Sequence, residues 1–378
     1  MNAIPPPASG RLWRPYTMDR VRASEARALF TVVSTFAGAG GSSTGYRLAG
    51  GRVLAVNEFI QEARDTYRAN YPTTPILPDD IRDVKVPELL KTAGIKKGEL
   101  DVLDGSPPCA SFSNIGQREE GWGKEKLYSG RMQKTDDLFF EFARILEGVQ
   151  PRMFVAENVK GLTTGKPAAM LGDGQPDLFG ESKNTIVGTL EACGYHVRYK
   201  VLNAKEYGVP QSRARLFIVG VRNDIDKEVT FPKPFDYRVT FADIVPGFEA
   251  VYTMNGFGSG TANKIGPDDP CCTVLTIGLG AQNTYRVWRT GQDPRFVPQV
   301  DRDKYLYEMD WKDVPYIEDD SWKEDRRFSI PELKRICGFP VDFELTGPRS
   351  KQWERCGRAV PPLMMKALAS HLYKEVLS

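Results

Sequence analysis

The stretch 31-TVVSTFAGAGGSSTGYRLAG-50 decides the fold. A short β-branched run, 31-TVVST-35, stops at a turn dense in glycine. Glycines at a strand-to-helix turn let a ligand approach the backbone closely. A second strand candidate, 52-RVLAV-56, leads to a carboxylate, Glu58, 18 residues after Gly40. That carboxylate is placed to bind ribose hydroxyls. A nicotinamide-dependent oxidoreductase would carry the same turn and acid, so these features alone leave the cofactor open.

Working outward, the first 230 residues alternate strand-like and helix-like segments. Further strand candidates are 100-LDVLDG-105, 152-RMFVAEN-158, 195-YHVRYKVL-202 and 215-RLFIVGV-221. The clearest helix is 136-DDLFFEFARILEGV-149, where Phe139, Phe142, Ile145, Leu146 and Val149 recur at helical spacing and Thr135 or Asp136 can cap the start. Such alternation implies an α/β fold, a mostly parallel central sheet with helices on both faces. From about residue 234 the texture changes to Gly, Pro, Asn and Asp, with no long amphipathic pattern until 329-SIPELKRICGF-339. The organisation expected is a flexible arm over 1–28, a catalytic cofactor-binding domain over 29–232, a smaller irregular β-containing recognition domain and hinge over 233–350, and a C-terminal helix over 351–378 that returns to the first domain.

Composition narrows the class. The 51 basic and 49 acidic side chains leave a net charge of +2, which excludes a polybasic protein but not an enzyme with a local basic groove. No apolar run approaches a membrane span, and 1-MNAIPPPASGRLWRPY-16 has no apolar signal core. The six cysteines are scattered without a CxxC pair and there are only two histidines, which argues against a zinc site and a disulfide framework and for a reducing cytoplasm.

Three more stretches carry chemistry. In 104-DGSPPCASFS-113, Cys109 follows Pro107 and Pro108 at the carboxyl end of a strand, the edge where open α/β sheets bind ligands. In 154-FVAENVKGL-162 a strand ends in Glu157 and Asn158. In 207-YGVPQSRARLFIVG-220, Gln211, Arg213 and Arg215 alternate, so all three are expected on one face, suited to phosphate or base-oxygen contacts.

Taken together, and in this order, these motifs resemble the DNA cytosine-5 methyltransferase family, through nearly the whole chain. FAGAGG, with Phe36, Gly38, Gly40 and Gly41, looks like the cofactor loop. Glu58 looks like the ribose acid, and 79-DDI-81, with Asp80 and Ile81, like the adenine-edge motif. SPPC carries the nucleophile, ENV the acid, QSRAR the base-binding arginines, and 357-GRAVPP-362, with Arg358, Ala359 and Val360, the final motif. The resemblance implies a Rossmann-like S-adenosylmethionine-dependent methyltransferase fold, with double-stranded DNA as partner, no metal and a monomeric state. The setting it implies is the cytoplasm of a bacterial or phage-infected cell, and restriction-modification is one role it allows. It implies that Cys109 adds to C6 of a flipped cytosine, that protonated Glu157 hydrogen-bonds N3, and that Asn158 supports the geometry. Arg215 and Arg213 would hold the base O2 and phosphates. Pro107 and Pro108 would line the cofactor side, and Ser113 and Gln211 would contact DNA. The stretch 114–134 reads as a loop closing over DNA. Gln282, Asn283 and Arg286 in 278-GLGAQNTYRVW-288 are candidate base readers. An RNA cytosine methyltransferase of the same fold is the nearest alternative.

Two positions depart from the family pattern: Ala110 stands where Gln is usual after the cysteine, and Arg358 where the final motif usually has Asn. Both positions line the family's methyl-transfer pocket. Two like charges roughly 5 Å apart at an effective dielectric near 20 repel by about 3 kcal/mol, on the order of a hundredfold in affinity. Either Arg358 turns away from the sulfonium, towards a phosphate or Glu354, or an anion lies between them. The expectation is that the donor is carboxy-S-adenosylmethionine, its carboxylate paired with Arg358 and accommodated by Ala110, and the product 5-carboxymethylcytosine. The alternative is an ordinary methyltransferase.

Overall fold

Strand β1, Phe30–Thr35, is an interior strand of a seven-stranded sheet in the computed structural model of the chain. The structure describes residues 14–107, 126–128, 131–133, 138–163, 171–172, 185–244, 250–254, 262–265, 269–271, 273–274, 285–288 and 328–378. Two compact units divide it. The sheet unit comprises Met18–Asn203, Ala214–Pro234 and Val360–Ser378; the second comprises Met1–Thr17, Ala204–Arg213 and Phe235–Ala359.

In the sheet unit β1 is followed by β2 (Gly51–Asn57), β3 (Ile76–Leu77), β4 (Val102–Gly105), a hairpin of β5 (Lys126–Tyr128) and β6 (Arg131–Gln133), then β7 (Met153–Val159), β8 (Tyr195–Asn203) and β9 (Ala214–Arg222). The main sheet runs β3-β2-β1-β4-β7-β9-β8. The first five strands are mutually parallel, and β9 runs antiparallel to both β7 and β8. The sequence accounts for this placement. β1, β4 and β7 are almost continuously buried, as central parallel strands covered on both faces must be, whereas β8 alternates over its first half, as an edge strand can. The helices in this part of the chain are α1 (Met18–Glu25), α2 (Gly41–Leu48), α3 (Gln61–Asn70), α4 (Val86–Ala93), α5 (Leu138–Val149) and α6 (Ile186–Ala192). α5 buries Phe139, Phe142, Ile145, Leu146 and Val149, the expected stripe. Each such side chain contributes roughly 2 kcal/mol of burial. Helix α1 lies inside the stretch expected as an arm, anchored by buried Met18 and Val21.

The second unit holds a three-stranded antiparallel sheet, β11-β10-β12, from β10 (Ala250–Met254), β11 (Ala262–Ile265) and β12 (Tyr285–Trp288). Its helices are α7 (Phe241–Ile244), α8 (Ile330–Ile336) and α9 (Arg349–Arg358). A reciprocal capping box between Ser329 and Glu332 starts α8. Residues Ala204–Arg213 belong to this unit although they lie within the stretch expected as catalytic domain.

The last stretch is two helices rather than one. α9 ends at Arg358, extended Ala359 and Pro361 interrupt it, and α10 (Pro362–Leu372) packs in the sheet unit against α2. Gly45 makes that approach possible: a Cβ there would lie 2.5 Å from Met365 Cβ and 2.7 Å from the Pro362 carbonyl oxygen.

Candidate active site

The sheet unit places Phe36, Gly38, Gly40, Gly41, Glu58, Pro107, Glu157 and Asn158 at the carboxyl ends of β1, β2, β4 and β7. After β1 the backbone turns through Phe36, Gly38 and Gly40, all at positive φ (53°, 56° and 95°), before α2 begins at Gly41. A Cβ added at Gly38 would meet nothing within 4 Å, so the loop backbone has open space beside it. Glu58 is buried and holds the loop. Its carboxylate accepts from Gly38 N–H at 2.7 Å and from Ile60 N–H at 2.8 Å, so one acid ties the glycine turn to the start of α3. Asp80 accepts from Arg82, both backbone and guanidinium. Ile81, expected against the cofactor, is a core residue, 3% exposed in a cluster with Leu77 and Val84.

At the ends of β4 and β7 the Asn158 side chain spans two elements. Its Nδ2 donates to the Pro107 carbonyl at 3.2 Å and its Oδ1 accepts from Val159 N–H at 2.8 Å. The residue therefore ties Pro107 to the end of β7. Glu157 Oε1 lies 3.1 Å from Arg215 Nε, the two strands being antiparallel with Val159 opposite Arg215. Burial pulls the Arg215 guanidinium below its ordinary range, and the Glu157 charge opposes that shift.

Sequence reasoning passed over Asp104, which is fully buried on β4. Its Oδ2 accepts from Ser34 Oγ at 2.6 Å and its Oδ1 from Tyr46 Oη at 3.1 Å. Burial pushes this carboxyl up to about 7, against the two hydroxyls and reinforced by Glu157. Its signal in the sequence is an acid inside the apolar run 100-LDVLDG-105.

Gln211, Arg213 and Arg215 were expected on one face. β9 begins only at Ala214, so the strand alternation that would align Gln211, Arg213 and Arg215 does not reach the first two. Gln211 is fully buried in the second unit, where its Nε2 donates to Cys337 Sγ at 3.4 Å, not at a DNA-facing surface. Arg213, 2% exposed, donates to the carbonyls of Val274 (3.0 Å) and Gly357 (2.7 Å), which pins the end of α9. Its guanidinium thus bridges two backbone carbonyls of the second unit.

Arg358 Nε lies 2.8 Å from Glu354 Oε1, one helical turn earlier on α9. Lys351 at 3.3 Å and Arg355 at 3.7 Å approach the same carboxylate. Burial would raise Glu354, but Arg358, Arg355 and Lys351 outweigh it and hold the carboxyl below its usual range. Ala359 ends this unit and buried Val360 opens the last segment of the sheet unit. Arg286 sits on β12 opposite Tyr252. Pro108, Cys109, Ala110, Ser113, Gln282 and Asn283 lie outside the described residues, as does most of 114–134 apart from the β5–β6 hairpin.

Among the described residues no group of three His, Cys, Asp or Glu side chains could hold a metal ion. No described helix is long and apolar enough to cross a membrane. Cys193, Cys271, Cys337 and Cys356 are free thiols.

Residues 30–374 match the family model for C-5 cytosine-specific DNA methylase. The chain is 29% identical over 357 residues to the type II methyltransferase M1.HphI of Haemophilus parahaemolyticus, covering 91% of this chain and 87% of the relative. It is 35% identical over 359 residues to the type II methyltransferase M.PspPI of Psychrobacter sp., covering 91% and 79%. In fold it resembles the Dnmt2 methyltransferase of S. pombe, with a TM-score of 0.60 at 16% identity over 91% of this chain and 98% of that one. Spodoptera frugiperda DNMT2 gives 0.54 at 17% identity over 92% and 100%.

Proposed function

Because the chain belongs to the C-5 cytosine-specific DNA methylase family, we propose that it alkylates C5 of a cytosine flipped out of double-stranded DNA, with Cys109 as nucleophile. The observation that carries the reading is the Glu157–Arg215 pair, an acid and a guanidinium 3.1 Å apart on neighbouring strands. Cytosine C5 is a poor nucleophile. Addition of the Cys109 thiolate to C6 pushes an electron pair toward N3 and C5 and makes the ring an enamine. Glu157, protonated, donates to N3, while Arg215 holds O2, so the charge that develops along N3–C2–O2 meets a donor at each end. Asn158 holds the Pro107 carbonyl, two residues before Cys109 in the chain. Once C5 carries its new group, a water or hydroxide takes the C5 proton, the C–H electron pair forms the C5–C6 double bond and the C6–S bond breaks, which releases the Cys109 thiolate and restores the aromatic ring.

S-adenosylmethionine suits the Phe36–Gly41 loop, with its open backbone at Gly38 and the buried Glu58 beneath it. When bound, that cofactor supplies an electrophilic carbon on a sulfonium. The Arg358–Glu354 pair supports the ordinary methyl donor, because the guanidinium charge already meets a carboxylate. A second reading, carboxy-S-adenosylmethionine as donor, is favoured by a different observation: Glu354 is one anion facing three cations, Lys351, Arg355 and Arg358. A donor carboxylate would be a further anion for these cations to meet.

DNA containing 5-fluorocytosine tests the shared chemistry. The C5–F bond blocks elimination, so the Cys109 adduct should persist as a denaturation-resistant protein–DNA complex that requires cofactor. A complex formed equally by Cys109→Ser, or none with the native chain, rejects the mechanism.

A further inference from the structure

Three buried carboxyls of the sheet unit are held in three different ways. Glu58 accepts from two backbone N–H groups and Glu157 faces Arg215. Asp104 has only two neutral hydroxyls, Ser34 Oγ and Tyr46 Oη, and no ion pair among the described residues. Burying a carboxylate without a cation is costly, and a purely structural role here would be filled by a neutral amide.

The positions of its partners give Asp104 a second meaning. Ser34 lies on β1 two residues before Phe36, and Tyr46 lies on α2, five residues after Gly41. The two hydroxyls thus come from the two stems of the Phe36–Gly41 loop, and one carboxyl holds both. Register places Asp104 between Ser34 on β1 and Val155 on β7, two residues before Glu157. The titratable groups facing it are Tyr46 from α2, kept protonated by burial and by Asp104 itself, and Glu157 from β7 with Arg215 of β9 beside it. β1 contributes the Ser34 hydroxyl to the carboxyl and the Thr35 hydroxyl to the Asp104 carbonyl, neither of them a charge. A cation arriving at the loop would bring positive charge towards a carboxyl that has no ion pair among the described residues, and an opposite charge nearby favours the ionised form.

We propose that Asp104 couples cofactor binding to a proton. A sulfonium cofactor at the Phe36–Gly41 loop breaks the Asp104 O–H bond and sends the proton to solvent, and the neutral thioether product lets the carboxyl take a proton back. The proposal rests on S-adenosylmethionine being the cofactor. Its consequence is that the substrate form of the cofactor binds more tightly as pH rises through neutrality, while the product form gains nothing, so alkaline conditions favour exchange of product for substrate.

Isothermal titration calorimetry on the full chain in two buffers of different ionisation enthalpy counts the protons. With the carboxyl half protonated near pH 7, S-adenosylmethionine should release up to about half a proton more from the native chain than from Asp104→Asn. S-adenosylhomocysteine should show no such difference. Ser34→Ala removes a hydroxyl that favours the ionised form, so it should move the pH of maximal release upward; this variant decides the matter if Asp104→Asn does not fold. Equal release by the native chain and Asp104→Asn, or an unmoved pH maximum in Ser34→Ala, overturns the coupling. Failure of either cofactor to bind rejects instead the donor reading on which it rests.

Discussion

Glu157 Oε1 and Arg215 Nε are 3.1 Å apart, joined across the β7–β9 ladder where the sheet switches from parallel to antiparallel. The antiparallel strand runs back toward the acid, so a guanidinium at its start reaches a carboxylate at the end of β7. A purely parallel sheet would place the start of β9 at the opposite edge.

Glu157→Gln keeps the size and a donor but removes the ionisable proton. General acid catalysis contributes about 10²–10⁴-fold, so kcat should fall by that order while cofactor Kd, read by calorimetry, stays the same. An unchanged turnover rate would remove Glu157 from the chemistry.

The two arginines of QSRAR should separate by readout. Arg213→Lys cannot reproduce a fork on the carbonyls of Val274 and Gly357, and hydrogen bonds from a charged donor are worth about 1.5–3 kcal/mol each. The melting temperature should fall. Arg215→Lys should leave melting nearly unchanged and lower turnover. The reverse pattern would mean that the roles are exchanged.

Stability should depend on pH through Asp104. Its folded-state carboxyl titrates at about 7 against an ordinary 3.8, so the folded state binds the extra proton between those values. Its contribution is complete below the unfolded value and is lost as pH rises through the folded one. Relative to Asp104→Asn, the native chain should therefore lose on the order of a few kcal/mol between about pH 4 and pH 8. Chemical denaturation of both proteins across that range measures it, and parallel curves would contradict the burial argument.

Gly45→Ala should destabilise the packing of α2 on α10. The added methyl would meet Met365 and the Pro362 carbonyl well inside contact distance. Overpacking of this kind costs about 1–3 kcal/mol. A melting temperature equal to that of the native chain would show that α10 shifts freely.

How much of this was legible in the sequence depended on period and length. Six of the seven strands were readable because long β-branched runs reveal themselves; β3 was not, since Ile76–Leu77 is too short to show a period. Helix α1 was hidden because MDRVRASE is mostly polar, with Met18 and Val21 its buried residues and Glu25 paired to Arg47, a contact 22 residues away. The surroundings of Gln211 and Arg213 were not legible, because a two-residue alternation holds only within a strand and β9 starts after both, at Ala214. The pairing of Arg358 with Glu354 was readable in principle, at i and i+4 on a helix, but the sequence could not choose between that acid and another anion. Asp104 escaped because its meaning comes from Ser34 and Tyr46, 70 and 58 residues away.

The most direct measurement is mass spectrometry of nucleosides from duplex DNA incubated with the chain, S-adenosylmethionine and carboxy-S-adenosylmethionine together. The account predicts new 5-substituted deoxycytidine that disappears in Cys109→Ser, with 5-methylcytosine under the first donor reading and 5-carboxymethylcytosine under the second. DNA with no C5-modified cytosine, or with the new group on an exocyclic nitrogen, would contradict it.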